Sequence, residues 1–290
     1  MLDSDQVRNR VQEHYSSSDL VGRIAEALQR AGLITGILDT GILDTGVLDW
    51  TDVASLDQFH VRGLAASEEM AESLQAHPGT TVLDVGCGLG GPARFLAATH
   101  GCQVTGIDLS QPFIDAARFL SERTGLADRT VFQQADAIDL PFADASFDCA
   151  WTQHVAMNIA DRDGLYRSIH RVLKPGGRLA IYDVTAGENG PLTFPVPWSR
   201  TPETSFLLTP QAMRNALANA GFTEISWADK TAAAIEWLGQ QVAVQSGQPP
   251  VIGLNVVMGP GFGGMAGNLG RNLKEGRASL TQAVVRKELR

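Results

Sequence analysis

The sequence contains few cysteines, and their spacing does not suggest a shared site. Cys87, Cys102 and Cys149 are the only three in 290 residues, and each stands alone in an apolar segment. A zinc site or a disulfide framework would place cysteines in pairs at characteristic spacings. We therefore expect three buried thiols, no bound metal and no disulfide.

The sequence also lacks a targeting signal, a long apolar run and a basic block. Its first residues, MLDSDQVRNRVQEHY, have neither the order of a signal peptide nor an apolar stretch long enough to span a bilayer. Acidic residues outnumber basic ones by 32 to 23, and no cluster of Lys and Arg could follow a phosphate backbone. We expect a soluble, cytoplasmic protein that binds neither membranes nor nucleic acids.

Enough apolar sequence is present to fill a core, since 44% of the residues are hydrophobic and 19% charged. From residue 81, short β-branched runs alternate with helical patterns, as in βαβ units around a mostly parallel sheet. This order predicts an α/β fold with a doubly wound, Rossmann-like sheet. The predicted strands are 81–85, 103–107, 130–134, 147–152, 178–184, 222–228 and 280–287, and the predicted helices between them are 92–99, 111–123, 161–172 and 210–220.

Two regions lie outside this pattern. Helices are predicted over 5–32 and 65–76, and between them the sequence TG(I/V)LD occurs three times in tandem over 35–49. A period of five fits neither a helix nor a strand, so we interpret the repeat as a connector without chemistry. Residues 231–279 form an insertion, and its glycine-rich tract 259–270 predicts a mobile or closely packed loop.

These features predict four parts of the chain. Residues 1–78 form a helical lid and connector, and residues 79–230 form a Rossmann-like core. Residues 231–279 form an inserted cap, and residues 280–290 form the final strand of the core.

One glycine-rich turn is typical of a cofactor site. The segment Val82-Leu-Asp-Val-Gly-Cys-Gly-Leu-Gly-Gly91 is a strand that runs into a turn and then a helix. Glycines allow a ligand to approach the backbone, and the helix N-terminus supplies unpaired N–H groups. With Asp108 after the next strand, the same spacing also fits a dinucleotide fingerprint. A nicotinamide-dependent oxidoreductase therefore stays open at this point.

Two further acids favour a different cofactor. Asp84 precedes the first glycine by two residues, where its charge would disfavour a pyrophosphate and suit an ammonium or sulfonium group. Asp136 follows the third strand, where it could accept a hydrogen bond from an adenine amino group. With these motifs, Ser146-Phe-Asp-x-x-Trp and Arg171-Val-Leu-Lys-Pro-Gly-Gly-Arg-Leu, the sequence over 80–185 resembles the class I S-adenosylmethionine-dependent methyltransferases.

This resemblance implies S-adenosylmethionine as the cofactor and an antiparallel last strand of the sheet. It also implies the residues that contact the cofactor. These are Asp84, Gly86, Cys87 and Gly88 at the turn, Asp108 at the ribose, Leu109 beneath the adenine, Asp136 and Ala137 at the adenine edge, and Gln153 near the methionine part. By the same resemblance, Phe59, His60 and Tyr15 belong to a lid over the cofactor.

The substrate should bind beyond the carboxyl ends of the strands. His154 follows the fourth strand there and is our candidate general base, with His60 as the second candidate. Arg62, Met157 and Trp198 are candidate substrate contacts.

A looser resemblance, to sarcosine and dimethylglycine methyltransferases, makes an amine nitrogen the preferred acceptor. The alternatives are carbon or oxygen of a polyketide or prenyl diphosphate and, more distantly, the oxidoreductase or a binding module without catalysis. The expected partner is a small-molecule substrate, and a homo-oligomer is left open.

Overall fold

The computed structural model describes residues 4–15, 19–34, 47–244 and 250–289. Its centre is a seven-stranded sheet with the strand order β3-β2-β1-β4-β5-β7-β6. The strands are β1 (Thr81–Val85), β2 (Gln103–Asp108), β3 (Thr130–Gln134), β4 (Phe147–Gln153), β5 (Leu173–Ala186), β6 (Phe222–Asp229) and β7 (Ala278–Lys287). Neighbouring strands among β1 to β5 run parallel to each other, and β7 runs antiparallel to both β5 and β6. The predicted Rossmann-like sheet with an antiparallel last strand is confirmed.

Eleven α-helices are found in the described residues. They are α1 (Ser4–Tyr15), α2 (Leu20–Arg30), α3 (Ala54–Asp57), α4 (Leu64–Leu74), α5 (Gly91–His100), α6 (Gln111–Arg123), α7 (Arg162–Val172), α8 (Pro210–Asn219), α9 (Thr231–Val244), α10 (Leu254–Met258) and α11 (Phe262–Lys274). None of these described helices combines the length and the apolar character needed to cross a bilayer.

Both faces of the sheet are covered by helices, which is why its central strands β1 and β4 are almost entirely buried. Along β1, Val82 belongs to a core that includes residues of α4, α5 and α11, whereas Leu83 belongs to a second core with residues of α7 and α8. Ligands bind such sheets where the connections turn to opposite faces, beyond the carboxyl ends of the strands. Here that point lies between β1 and β4.

The amino-terminal region differs from the single helix predicted over 5–32. The structure has two helices, and the Asp19 side chain caps the second one by accepting a hydrogen bond from the Gly22 N–H. Most of the tandem repeat, residues 35–46, lies outside the described residues. In its last copy Leu48 is buried, and Asp49 caps the short 3₁₀ helix Trp50–Val53.

The prediction of a loop over the glycine-rich tract was wrong. Residues from Phe262 onward form α11, which buries Met265, Leu269 and Leu273 at a spacing of four residues. Helix stability in proteins comes mainly from packing of such a face, which here outweighs the poor helix propensity of glycine. The division of the chain at residues 78, 230 and 279 stays a prediction.

Candidate functional site

A large cavity opens at the carboxyl ends of β1, β2, β3 and β4. It encloses about 1310 Å³, including the space at its mouth. We call it the first cavity. Its wall combines the glycine turn with residues that follow β2, β3 and β4, and α1 contributes four side chains: Val7, Arg8, Val11 and Gln12.

The glycine turn is held against β2 by its own backbone. The N–H groups of Gly86 and Cys87 both donate to the Ile107 carbonyl at 2.8 Å. Gly86 has a φ of 73°, and a Cβ there would lie 2.3 Å from a methyl carbon of Val155. Gly88 has a φ of 52°, but a Cβ there would meet no atom within 4 Å. Gly86 is thus fixed by packing, whereas Gly88 borders open space where a ligand can reach the backbone.

Asp84 places a buried carboxyl group at the floor of the first cavity. It is 2% exposed, and its Oδ2 has no hydrogen-bond partner among the described residues. Burial is the main reason why the pKa of Asp84 rises to about 7, and the nearby Asp108 raises it further. The Trp151 indole and Arg94 act in the opposite direction and lower this pKa. A cationic group of a ligand would favour the ionised form of Asp84.

Asp108 joins the end of β2 to the turn. Its Oδ2 accepts from the Gly88 N–H at 3.0 Å, and its Oδ1 accepts from the Ser110 N–H at 2.9 Å. Burial raises the pKa of Asp108, while these backbone donors oppose that shift. Each carboxylate oxygen has capacity for a further hydrogen bond, as two hydroxyl groups of a ribose would require.

Helix α1 covers the far end of the first cavity. The Arg8 Nε lies 3.1 Å from Asp136 Oδ2, and the Gln12 amide donates to the Leu109 carbonyl at 2.9 Å. Asp136 Oδ1 also accepts from the Ile138 N–H. Asp136, Ala137 and Leu109 therefore line the same end of the cavity, where the resemblance places the adenine.

Gln153 is the clearest sign that this cavity binds a polar ligand. It is 8% exposed, it lines the cavity, and neither Oε1 nor Nε2 of its amide has a partner within the described chain. A buried amide without hydrogen bonds is unfavourable. A ligand that has both donors and acceptors would satisfy it.

A second, smaller cavity of about 530 Å³ adjoins the first, since Phe59, His60 and His154 line both. Met157 and Trp198, two of the predicted substrate contacts, also line this second cavity. The rest of its wall includes six side chains of α9, α10 and α11: Trp237, Leu238, Leu254, Phe262, Ala266 and Leu269.

Both imidazoles between the cavities have a defined tautomer. The His60 Nε2 lies 2.9 Å from the Gly63 carbonyl, and the His154 Nδ1 lies 3.1 Å from the Tyr182 carbonyl. A carbonyl can only accept, so each of these nitrogens carries a proton. The His154 Nε2 in turn accepts a long, 3.4 Å bond from the Val61 N–H. The His60 Nδ1 has no hydrogen-bond partner within the ranges that the structure describes.

Burial keeps both imidazoles neutral. It lowers the pKa of His60 to about 3, with repulsion from His154 as the next cause, and it lowers the pKa of His154 to about 4. The rings lie 6.2 Å apart, and His154 stacks on Tyr182 at 5.4 Å. At neutral pH both side chains are therefore uncharged, and each has one ring nitrogen without a proton.

The backbone at His154 is strained. Its φ is 57°, a left-handed conformation that costs a non-glycine residue about 1–3 kcal/mol. The His154 N–H donates to the Tyr182 carbonyl at 2.8 Å, and this bond helps to hold the conformation. The result is an imidazole that turns back from the end of β4 toward the junction of the two cavities.

Arg62 and Tyr15 differ from the other predicted residues. Arg62 borders neither cavity and forms a salt bridge with Glu69, which also pairs with Lys230 at 2.8 Å. Its guanidinium is therefore already neutralised by a carboxylate of α4. Tyr15 is the last residue of α1, and its side chain lies outside the described part of the chain.

Sequence reasoning missed Asp57 and the cap residues of the second cavity. Asp57 lines the first cavity and forms a buried ion pair with Arg94. The spacing of Met265, Leu269 and Leu273 was a helical signal that the glycines obscured. Among the described residues, no group of three His, Cys, Asp or Glu side chains could hold a metal ion.

Comparison with known proteins identifies the central part of the chain. Residues 83–181 match the family described as "Methyltransferase domain". The chain is 43% identical to methyltransferase GfsG of Streptomyces halstedii over 47% of this chain and 49% of that protein. It is 41% identical to O-methyltransferase resE of Aspergillus sclerotiorum over 47% of this chain and 51% of that protein. The chain thus matches about half the length of these curated relatives.

Two solved structures resemble the fold over most of the chain. The [4+2]-cyclase SpnF has a TM-score of 0.63 and 27% identity, and the match covers 85% of this chain and 86% of the cyclase. A geranyl diphosphate C-methyltransferase from Streptomyces coelicolor has a TM-score of 0.64 and 18% identity, and the match covers 77% of this chain and 79% of that protein. The latter likeness shows a shared fold.

Proposed function

We propose that this chain transfers a methyl group from S-adenosylmethionine to a small molecule beside His60 and His154, because residues 83–181 match a methyltransferase domain and the sequence resembles the class I S-adenosylmethionine-dependent methyltransferases. The observation that carries the proposal is the unpartnered amide of Gln153 in a cavity that also contains the glycine turn and three acids from strand ends.

The residues of the first cavity fit this cofactor. Asp84 and Gln153 would hold the charged methionine part, Asp108 the ribose, and Asp136, Ala137 and Leu109 the adenine. Gly88 would allow close approach to the backbone. When bound, S-adenosylmethionine supplies an electrophilic methyl group on a cationic sulfur. The ionised Asp84 would repel the pyrophosphate of a nicotinamide cofactor.

The contribution of the chain to the reaction is placement and exclusion of water. The junction between the cavities would align a nucleophile with the methyl group, which removes much of the entropic part of the barrier. Apolar side chains of the second cavity and helix α1 would keep water away from it. Phe59 lines both cavities and so can contact both reactants.

The acceptor atom that the site favours is an oxygen of a hydroxyl group. The amine acceptors preferred from the sequence are charged at neutral pH, and none of the described side chains that line the second cavity carries a charge. A neutral hydroxyl would enter such a site more readily. Its proton would move to the His60 Nδ1, which the tautomer leaves free, as the new oxygen–carbon bond forms. A carbon nucleophile of a natural product remains the alternative.

A second candidate function follows from the likeness to the [4+2]-cyclase. A [4+2] cyclisation would form two new σ bonds at the expense of two π bonds and would consume no methyl group. The 27% identity over 85% of this chain supports it. The two functions differ in one readout, because only methyl transfer releases S-adenosylhomocysteine.

The test measures cofactor binding and turnover separately. In calorimetry, we expect S-adenosylmethionine and S-adenosylhomocysteine to bind without metal and NAD not to bind. Asp108→Ala should weaken the binding of S-adenosylmethionine and of S-adenosylhomocysteine by about 1.5–3 kcal/mol, the range for loss of a charge-assisted hydrogen bond. The exposed Asp115→Ala on α6 is the control and should leave affinity unchanged.

Turnover is then scored by release of S-adenosylhomocysteine with a panel of hydroxyl, amine, thiol and prenyl diphosphate acceptors. Release with any acceptor supports methyl transfer, and its dependence on the acceptor identifies the atom. Tight cofactor binding without release from the whole panel would favour the cyclase. Failure to bind either form of the cofactor would overturn the proposal.

A further inference from the structure

We propose that the second cavity binds an uncharged, largely apolar acceptor molecule, and that the helices α9, α10 and α11 select it. This inference rests on the proposed function, because it names the substrate class of the same site. It excludes acceptors whose recognition depends on a diphosphate, a carboxylate or an ammonium group.

The chemistry of the wall carries this inference. Aromatic and aliphatic side chains form nearly all of it, including Trp198, Trp237 and Phe262. The polar side chains that the structure places there are the two imidazoles, which are both neutral. An ion transferred from water to such a surface would lose its hydration without gaining a partner. Apolar area gains free energy on the same transfer.

Nearby cations do not change this conclusion. Arg62 lies next to the lining residue Val61, but its guanidinium is bonded to Glu69. The Lys230 Nζ is bonded to the same carboxylate at 2.8 Å. An anionic acceptor would have to break this network to recruit either charge, so the network keeps both cations away from the cavity.

Hydrogen bonds within the chain hold the wall of the second cavity in place. Asn272 of α11 joins Thr193 through two hydrogen bonds, one in each direction, at 2.8 and 3.0 Å. Asn268 of the same helix donates to the Pro195 carbonyl at 2.9 Å. The loop so fixed continues to Trp198, which is 2% exposed and bonds Ser205 through its indole N–H. Such a wall selects by shape and polarity rather than by closing on any ligand.

Three probes of defined charge test the inference. Farnesol is apolar and neutral, farnesyl diphosphate adds an anionic group, and dimethylglycine is small and charged. Their binding is measured by equilibrium dialysis with the full chain in the presence of S-adenosylhomocysteine. We expect farnesol to bind about tenfold or more tightly than either charged probe.

A pair of substitutions on α11 locates the binding. Ala266 lines the cavity, so Ala266→Phe should fill it and weaken farnesol binding about tenfold. Gly267 is exposed, and a Cβ there would meet no atom within 4 Å. Gly267→Ala is therefore the matched control and should bind farnesol like the unaltered chain. Circular dichroism and S-adenosylhomocysteine affinity confirm that each variant is folded.

The outcomes separate this inference from the proposed function. Tighter binding of either charged probe, or farnesol binding that Ala266→Phe leaves unchanged, would overturn the inference alone. Failure of S-adenosylhomocysteine to bind would overturn the proposed function, whereas farnesol binding to the same sample without cofactor would still decide the inference.

Discussion

The Arg94 guanidinium donates to the Asp57 carboxylate at 2.6 Å, in a place where the two side chains are 1% and 2% exposed. Arg94 belongs to α5, directly after the glycine turn, and it also bonds the carbonyls of Leu89 and Ala117. Asp57 precedes Phe59 by two residues. The ion pair therefore fixes the segment that contains Phe59 and His60 against the cofactor turn.

Asp57→Asn should strongly destabilise the protein. Removing one partner of a buried ion pair leaves the other charge uncompensated, which typically costs about 3–5 kcal/mol. The free energy of unfolding, measured with urea, should fall by that amount. The surface pair of Arg171 and Asp144 supplies the control, because Asp144 is 78% exposed and Asp144→Asn should cost about 1 kcal/mol or less. Equal effects of the two substitutions would contradict the structural role given to Asp57.

Cofactor affinity should depend on pH through Asp84. Its pKa in the free protein is raised to about 7 by burial, so the group is largely protonated below that pH. Binding of a cationic ammonium group favours the ionised form and so releases a proton. The dissociation constant of S-adenosylhomocysteine should therefore rise up to about tenfold for each pH unit below 7 and level off above it.

Calorimetry in buffers of different ionisation enthalpy detects the released proton directly. Asp84→Asn should weaken the binding of S-adenosylhomocysteine and abolish this proton release, because the asparagine amide does not ionise. A dissociation constant that stays flat between about pH 5.5 and 8 in the unaltered protein would show that Asp84 does not meet a cation.

The two imidazoles should differ in their contribution to turnover. His60→Gln retains an amide donor for the Gly63 carbonyl but removes the Nδ1 acceptor, and it should lower kcat by about 10²–10⁴. His154→Asn retains a donor toward Tyr182 and tolerates the left-handed backbone, so it should lower kcat less. Cofactor affinity should stay within a few-fold in both. The opposite order would assign the base to His154, as the position after β4 first suggested.

The pH profile of kcat gives an independent check of this base. Burial lowers the pKa of His60 to about 3, whereas an ordinary histidine titrates near 6.5. The neutral form should thus persist well below pH 6, and kcat at saturating cofactor should not fall through pH 6.5. An acid limb near pH 6.5 would show that a solvated histidine acts instead.

The tandem repeat should tolerate a deletion in its first copy. Residues 35–39 have no counterpart among the methyltransferase motifs of the sequence, whereas Asp49 in the third copy caps a 3₁₀ helix through the Thr51 N–H at 2.9 Å. Deletion of 35–39 should leave kcat within about tenfold, or 1.4 kcal/mol of barrier. Asp49→Ala should cost about 1 kcal/mol of stability. A larger loss of turnover in the deletion would indicate that the repeat takes part in the reaction.

Local patterns in the sequence were enough to predict the sheet and to bring together the residues that line the first cavity. Glycines, strand-end acids and β-branched runs act locally, and the crossover rule brings the carboxyl ends of parallel strands to one edge. Gly86, Gly88, Asp84 and Asp108 could therefore be placed together from their spacing alone.

The second cavity and the protonation of its imidazoles could not be predicted in this way, because they depend on contacts between distant segments. Its walls come from residues 59–61, 154–157, 197–198, 237–238 and 254–269, which no local pattern joins. Packing made α11 a helix despite its glycines, and it gave Arg62 a partner in Glu69. The His60 tautomer follows from one carbonyl, that of Gly63, and its low pKa follows from burial. Burial and partners depend on which distant segments meet, so they are set by the fold rather than by the spacing of residues along the chain.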